Sequence, residues 1–259
     1  MAERQFVATE RDGKILVVTI NRPDAMNALH PPANFELEEV FNEFVSDPDL
    51  WVAIITGAGE RAFSAGNDLK FQASGGAISI PETGFGGLTA RYDLTKPVIA
   101  AVNGVAMGGG FEIALACDLI LASSNAKFAL PEPRVGLAAL AGGLHRLPRQ
   151  IGLKQAMGMI LTGRQVDPEE GAQLGFVNEV CAPEDLMDRA KAWASLILEC
   201  SPMSVRASKQ AVMQGLDHAS YKDAFEGRYP AVSEMFKSDD FKEGPRAFAE
   251  KRKPNWSGG

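Results

Sequence analysis

The stretch from residue 98 to 112, VIAAVNGVAMGGGFE, limits the possible folds of this chain most. Its apolar start reads as a buried strand, Asn103-Gly104 as a turn, and Gly108-Gly109-Gly110 as the approach to a helix. A helix N-terminus carries free backbone N–H groups and a partial positive charge. Glycines, lacking Cβ, let a ligand come close to that backbone. Such a place can bind an anion or stabilise an oxyanion. Tight packing of a helix on a strand also needs small residues, and explains the same glycines. Two phosphate loops are excluded: no Gly-Lys-Ser or Gly-Lys-Thr follows, and Gly104 with Gly108, Gly109 and Gly110 does not match GxGxxG.

Other apolar runs end in turn residues in the same way. Strands are expected at 15–20, 51–56, 98–102, 119–122 and 176–180. Helical spacing marks 34–45, 111–117 and 186–200. Alternating strands and helices predict an α/β protein. Beyond residue 185 the strand signal fades and 186–248 reads as helical. The expected organisation is a core over 1–185 with the active site, followed by a helical region over 186–259. Residues 73–88 hold Gly75, Gly76, Gly84, Gly86 and Gly87 among Ser, Thr and Pro81, the composition of a loop. Such a loop is either a lid or a plain linker.

The chain has 259 residues, near the upper size for one hydrophobic core, with a net charge of −7 and no large Lys/Arg cluster. Nucleic acid is therefore not an expected partner. No stretch is apolar for the roughly 20 residues that a membrane span needs, and the first ten residues hold no signal-type apolar segment. A cytoplasmic protein without membrane association is the expectation. Cys117, Cys181 and Cys200 are few and widely spaced, so neither a disulfide framework nor a zinc site is expected.

Two glutamates stand out. Glu112 opens the helix after the glycines, where an acidic residue also favours the helix dipole. Glu132 lies between Pro131 and Pro133 on a stiff segment. Two rigidly placed carboxylates can divide general acid and general base roles. His145 follows Gly142-Gly143 and is read as a helix-surface residue, with a place near the pocket as the alternative.

These residues resemble the crotonase (enoyl-CoA hydratase/isomerase) superfamily. The segment 99–119, IAAVNGVAMGGGFEIALACDL, is similar to the family signature along its whole length. FSAGNDLK at 63–70, NRPDAMNA at 21–28 and EGPRAFAEKRKP at 243–254 are further family-like motifs, in the family's order. The resemblance implies a spiral of repeated ββα turns with a C-terminal helical trimerisation region, as a homotrimer or a hexamer built from two trimers. It implies an acyl-CoA thioester substrate, no metal and no separate cofactor, since coenzyme A is part of the substrate. The backbone N–H groups of Asn67 and Gly109 would bind the thioester oxygen. Glu112 and Glu132 match the two glutamates of the family's hydratases, with Glu112 as base and Glu132 as proton donor to the α-carbon. Ala25, Ala28, Ala65, Asp68 and Leu69 would line the coenzyme A path, and Phe236 and Lys251 would reach the nucleotide from a neighbouring subunit.

The implied reaction is addition or removal of water across the 2,3 double bond. Isomerisation by Glu132 alone, or acyl-CoA binding without turnover, are the alternatives. The phrasing at 53–60, 109–112, 128–132 and 244–251 is similar to the subgroup that dehydrates carnitinyl-CoA. Asn67 and Ala139-Leu140-Ala141 depart from that subgroup, so a plain or branched enoyl-CoA competes. Phe71, Phe85 and Tyr92 are candidate aromatic faces for a trimethylammonium group.

Overall fold

The computed structural model describes residues 4–77 and 79–259. The apolar runs form the middle of a six-stranded sheet. Its strands are β1 (Val7–Asp12), β2 (Ile15–Ile20), β3 (Val52–Gly57), β5 (Val98–Val102), β7 (Leu119–Ser123) and β9 (Glu179–Cys181), side by side in that order. β1 runs antiparallel to β2, and all other neighbours are parallel. A smaller parallel sheet holds β4 (Ala62–Ser64), β6 (Val105–Met107) and β8 (Lys127–Ala129).

Each of β3, β5 and β7 is thus followed after a short corner by a strand of the smaller sheet. Helix α2 (Leu69–Ala73) follows β4, and α3 (Gly109–Ala116) follows β6. This is the expected spiral of ββα turns. Asn103 ties one corner to the preceding turn of the spiral: its Nδ2 donates to Gly57 O at 2.9 Å and its Oδ1 accepts from Gly57 N at 3.1 Å. A Cβ on Gly104 would lie 2.5 Å from Arg61 O, so the next residue must be glycine for the turns to stack.

Both faces of the middle strands β2, β3, β5 and β7 are buried, which is why these strands read as continuous apolar runs. On one face α1 (Pro31–Ser46) and α3 bring Phe41, Phe44 and Phe111 against Val18, Ile20 and Ile55. On the other, Leu186, Ala190 and Ala194 of helix α7 (Leu186–Leu198) cover Val17, Ile54, Ile99 and Leu121. Helix α7 is therefore a layer of the core, and the packing runs across the expected boundary at 185/186. Between the last small strand and β9 lie α4 (Gly143–Ile151), α5 (Leu153–Thr162) and α6 (Pro168–Leu174). After α7 come α8 (Pro202–Gly215), α9 (Tyr221–Glu226), α10 (Pro230–Lys237) and α11 (Asp239–Ala249). Ser201, Ser220 and Ser238 cap α8, α9 and α11 with their side chains.

Two expectations shift. The strand expected at 176–180 lies at Glu179–Cys181. Phe176 and Val177 turn into the core instead, where Phe176 packs on Phe111 and Phe128 with centroids 5.1 and 5.2 Å apart. The loop at 73–88 is pinned at its end: Gly86 N donates to Asn34 Oδ1 at 2.7 Å, and Phe85, Gly86 and Gly87 are buried. That end is a wall of the core, not a lid. Ile78, in the same loop, lies outside the described residues.

Candidate active site

Strands β4 and β6 run parallel, so the chain leaves both at the same end of the small sheet. After β4 comes Ala65-Gly66-Asn67, and after β6 comes Gly108, the residue preceding α3. The two segments touch through glycine. A Cβ on Gly66 would lie 2.8 Å from Gly109 N, and one on Gly110 would lie 2.0 Å from Ser64 O. Gly66 also has φ +84°, in the left-handed region that glycine favours.

Asn67 is held from one side. Leu29 N donates to Gly66 O at 2.7 Å and Asp68 N donates to Leu29 O at 3.0 Å, a parallel bridge that leaves the Asn67 N–H on the other edge. Among the described residues neither Asn67 N nor Gly109 N donates to the chain. Gly109 is the first residue of α3, where backbone N–H groups are free by construction. Two backbone donors thus stand together at the positive end of a helix. The Asn67 side chain is turned away, with Nδ2 on Gln72 Oε1 at 3.0 Å.

Glu112 lies one turn into α3 and is buried, 3% exposed. Its Oε1 accepts from Gly143 N at 2.8 Å, at the start of α4. Burial drives its carboxyl up from the ordinary 4.5 to about 7, with the nearby charge of Glu132 adding to the rise and the N–H groups of Gly143 and Ala141 opposing it. Glu132 begins the short 3-10 turn Glu132–Val135, and Pro131 before it and Pro133 after it stiffen the segment. Its carboxyl is also raised, by burial. Its Oε2 is buried with no hydrogen-bond partner among the described residues, as an atom that meets a proton or a substrate would be. Glu112 feels the charge of Glu132, and Glu132 Oε1 lies 2.8 Å from where a Cβ on Gly108, next to α3, would stand, so the structure brings together the pair that the sequence could only name.

The remaining named residues divide. Ala25, Ala28 and Ala65 lie together: Ala28 N donates to Ala25 O and Ala65 N to Met26 O, both at 3.0 Å. Leu69 is exposed beside them in sequence, at the start of α2. Asp68 is used within the chain, paired with Arg22 at 3.0 Å and capping α2 at Phe71 N. Phe236 and Lys251 are exposed on the C-terminal helical region. Phe236 packs edge-on against Phe241 at 5.3 Å, and Lys251 takes φ +55° after α11. His145 is exposed on α4, the helix-surface position expected.

One residue of the site is not anticipated by the sequence, and another is anticipated only as an aromatic face for a ligand. Gly143 supplies the donor to Glu112, and the Gly142-Gly143 pair was the only signal for it in the sequence. Phe85 places its ring beside Gly109, where a Cβ on that glycine would lie 2.4 Å from Phe85 Cε1. Among the three candidate aromatic faces it is the one at the glycine run. Phe71 packs on His30 at 5.6 Å and Tyr92 is 82% exposed.

The family model for enoyl-CoA hydratase/isomerase matches residues 10–259. Carnitinyl-CoA dehydratase of Citrobacter koseri is 45% identical, over 96% of this chain and 97% of that protein. The protein of the same name from Escherichia coli K12 is 44% identical over the same shares. Among solved structures, an enoyl-CoA hydratase from Mycobacterium tuberculosis H37Rv is similar with a TM-score of 0.92 and 39% identity, over 98% of this chain and 99% of that one. One from Mycobacterium marinum has a TM-score of 0.91 at 39% identity, over the same shares. With the family model matched over residues 10–259 and a spiral of ββα turns that carries buried Glu112 and half-buried Glu132, the chain belongs to the enoyl-CoA hydratase/isomerase family.

Proposed function

We propose that the chain is a hydro-lyase that adds or removes water across the 2,3 double bond of an acyl-CoA thioester, with Glu112 as base and Glu132 as acid. The single observation that carries this reading is the pairing of buried Glu112 with half-buried Glu132 beside two backbone N–H groups that are unpaired among the described residues. Hydration builds negative charge on the thioester oxygen. The N–H groups of Asn67 and Gly109 receive it, each contributing about 3 kcal/mol. Glu112, at about 7, is poised to take a proton from water near neutral pH. Glu132, raised by burial, carries the proton that the α-carbon accepts. Isomerisation by Glu132 alone leaves Glu112, buried and oriented by Gly143, without a task.

The relatives' name supports carnitinyl-CoA as substrate. The Ala139-Leu140-Ala141 segment supports an uncharged acyl group instead: it leads into the Gly143 donor, offers no carboxylate, and Ala139 is buried. A panel of thioesters, including crotonyl-CoA, branched enoyl-CoAs and crotonobetainyl-CoA, followed by mass spectrometry, tests the reading. Gain or loss of one water is the expected change. Tight binding of thioesters with no change across the panel overturns it.

For assembly the reading is a homotrimer or a hexamer of two trimers, in which Phe236 and Lys251 of one subunit approach the nucleotide of its neighbour. Tyr221, Phe225 and Phe248 are 83%, 76% and 87% exposed in the single chain, a set of large rings that an assembly would cover. Light scattering on the purified protein gives the subunit number. A monomer at micromolar concentration removes this part of the reading. Among the described residues no helix is long and apolar enough to cross a membrane.

A further inference from the structure

Arg146 on α4 is half-buried, and no carboxylate stands within ion-pair distance of it among the described residues. A desolvated guanidinium without an ion pair is costly, and burial lowers its affinity for its proton. Its position shows what it holds. The Nη2 donates to Thr89 O at 2.8 Å, joining α4 to the segment after Phe85–Gly87. The Nη1 lies across Gly142, so close that a Cβ there would be 2.1 Å away. Gly142 takes φ +109°, and the next residue gives Glu112 its hydrogen bond.

The far end of the contact leads to the other half of the site. Thr89 is buried, and Phe85 N donates to its Oγ1 at 2.9 Å. The Phe85 ring then lies against Gly109. One side chain thus touches both the turn that orients the base and the segment that backs the oxyanion donor. We propose that Arg146 is a positioning residue for the reaction, clamping the Gly142-Gly143 turn to the Thr89 carbonyl so that Glu112 and Gly109 keep their relative places. The proposal rests on the reading of Glu112 as the base.

The groups that set the local charge can be named. Around Glu112 they are Glu132 and Arg146 itself. Around Arg146 they are Tyr92, Cys117 and Glu112. Burial holds the Cys117 thiol far above its ordinary value, so it stays neutral. The positive charge of Arg146 lowers the carboxyl of Glu112, and removing it raises that group.

Two substitutions separate charge from clamp. Arg146→Gln keeps a donor but removes the charge. Arg146→Lys keeps the charge but lacks the planar fork that takes Nη2 to Thr89 O while Nη1 lies across Gly142. With crotonyl-CoA, or the thioester of the panel that the wild type hydrates fastest, both are expected to lose about tenfold or more in kcat, with KM changed by less than about threefold. The acid limb of the pH profile should move to higher pH in Arg146→Gln and stay in place in Arg146→Lys. Wild-type kcat and limb in Arg146→Gln overturn the proposal. So does an equal loss of kcat and thermal stability in both variants with no movement of the limb. If Arg146→Gln does not fold, Arg146→Lys decides: it keeps the charge and loses the Nη2 contact with the Thr89 carbonyl, so kcat should fall with the limb unmoved, and unchanged kcat rejects the clamp. Wild-type rates in Glu112→Gln overturn the reading of the site itself, whatever Arg146 does.

Discussion

Glu132 holds its carboxylate in the space that a side chain at residue 108 would need: a Cβ on Gly108 would stand 2.8 Å from Glu132 Oε1. Gly108 has φ +54° and precedes the helix that carries Glu112. The first glycine of the run therefore makes room for Glu132, the proposed acid, while the second offers an N–H.

That relation predicts an outcome for Gly108→Ala. The methyl group displaces Glu132, and the left-handed backbone adds about 1–2 kcal/mol of strain. Activity should fall at least tenfold in a chain whose circular dichroism is unchanged, as expected when an oriented proton-transfer group is misplaced. Gly136→Ala is the control, because Gly136 has φ +75° but nothing within 4 Å of its Cβ position. It should lose only stability. Equal kcat losses in the two variants would reject the Gly108–Glu132 relation.

The proposed oxyanion donors are backbone groups, so the side chain of Asn67 should matter little. Its described contact is the hydrogen bond to Gln72. Asn67→Ala should keep kcat within about threefold, since no donor to the oxyanion is removed. Gly66→Ala, which would push a methyl to 2.8 Å from Gly109 N, should cost about a hundredfold or more. Steady-state kinetics with one thioester compares them. A large loss in Asn67→Ala alone would move the donor role to the side chain.

Removing either carboxylate should be severe. Glu112→Gln and Glu132→Gln are each expected to lower kcat by about a hundredfold to ten-thousandfold. KM should change far less, since neither group is needed to hold the coenzyme A part. Single-turnover rates on crotonyl-CoA and crotonobetainyl-CoA measure this, and two variants at wild-type rates exclude a two-glutamate mechanism.

The raised carboxyl of Glu112 fixes two signs. As the proposed base it must be deprotonated, so kcat/KM for hydration should fall as pH drops below about 7. For stability the folded chain binds this proton more tightly than the unfolded chain does. Between 4.5 and about 7 stability therefore falls as pH rises, by about 3 kcal/mol in all. Glu112→Gln removes that loss, so its advantage over the wild type in urea unfolding should be larger at about pH 8 than at about pH 5. Protein concentration must be held constant, since assembly stabilises the folded chain. An advantage independent of pH would mean that Glu112 titrates normally.

The sheet of the spiral was largely legible in the sequence because its middle strands are buried on both faces and read as unbroken apolar runs. The strands at 15–20 and 98–102 fall where the pattern places them. β1 escaped notice because five of its six residues are exposed and it pairs at the sheet edge. β4, β6 and β8 span three residues each, too few for any period to show. Helices α4, α5 and α6 were hidden by weaker patterns, with exposed leucines such as Leu153 and Leu161 on α5 blurring the apolar face.

The sequence by itself determined that a glycine run opens a helix, and that a glutamate follows it and another is fixed between prolines. Those are local properties, set by backbone freedom and by stiffness along a few residues. Only the tertiary structure decided that the loop after β4 meets the glycine run and leaves the Asn67 N–H without an acceptor among the described residues. The same holds for the Gly143 N–H reaching Glu112 from 31 residues away, and for Phe85 lying against Gly109. These juxtapositions depend on how successive turns of the spiral stack, and stacking is settled by long-range packing that no short stretch of sequence encodes.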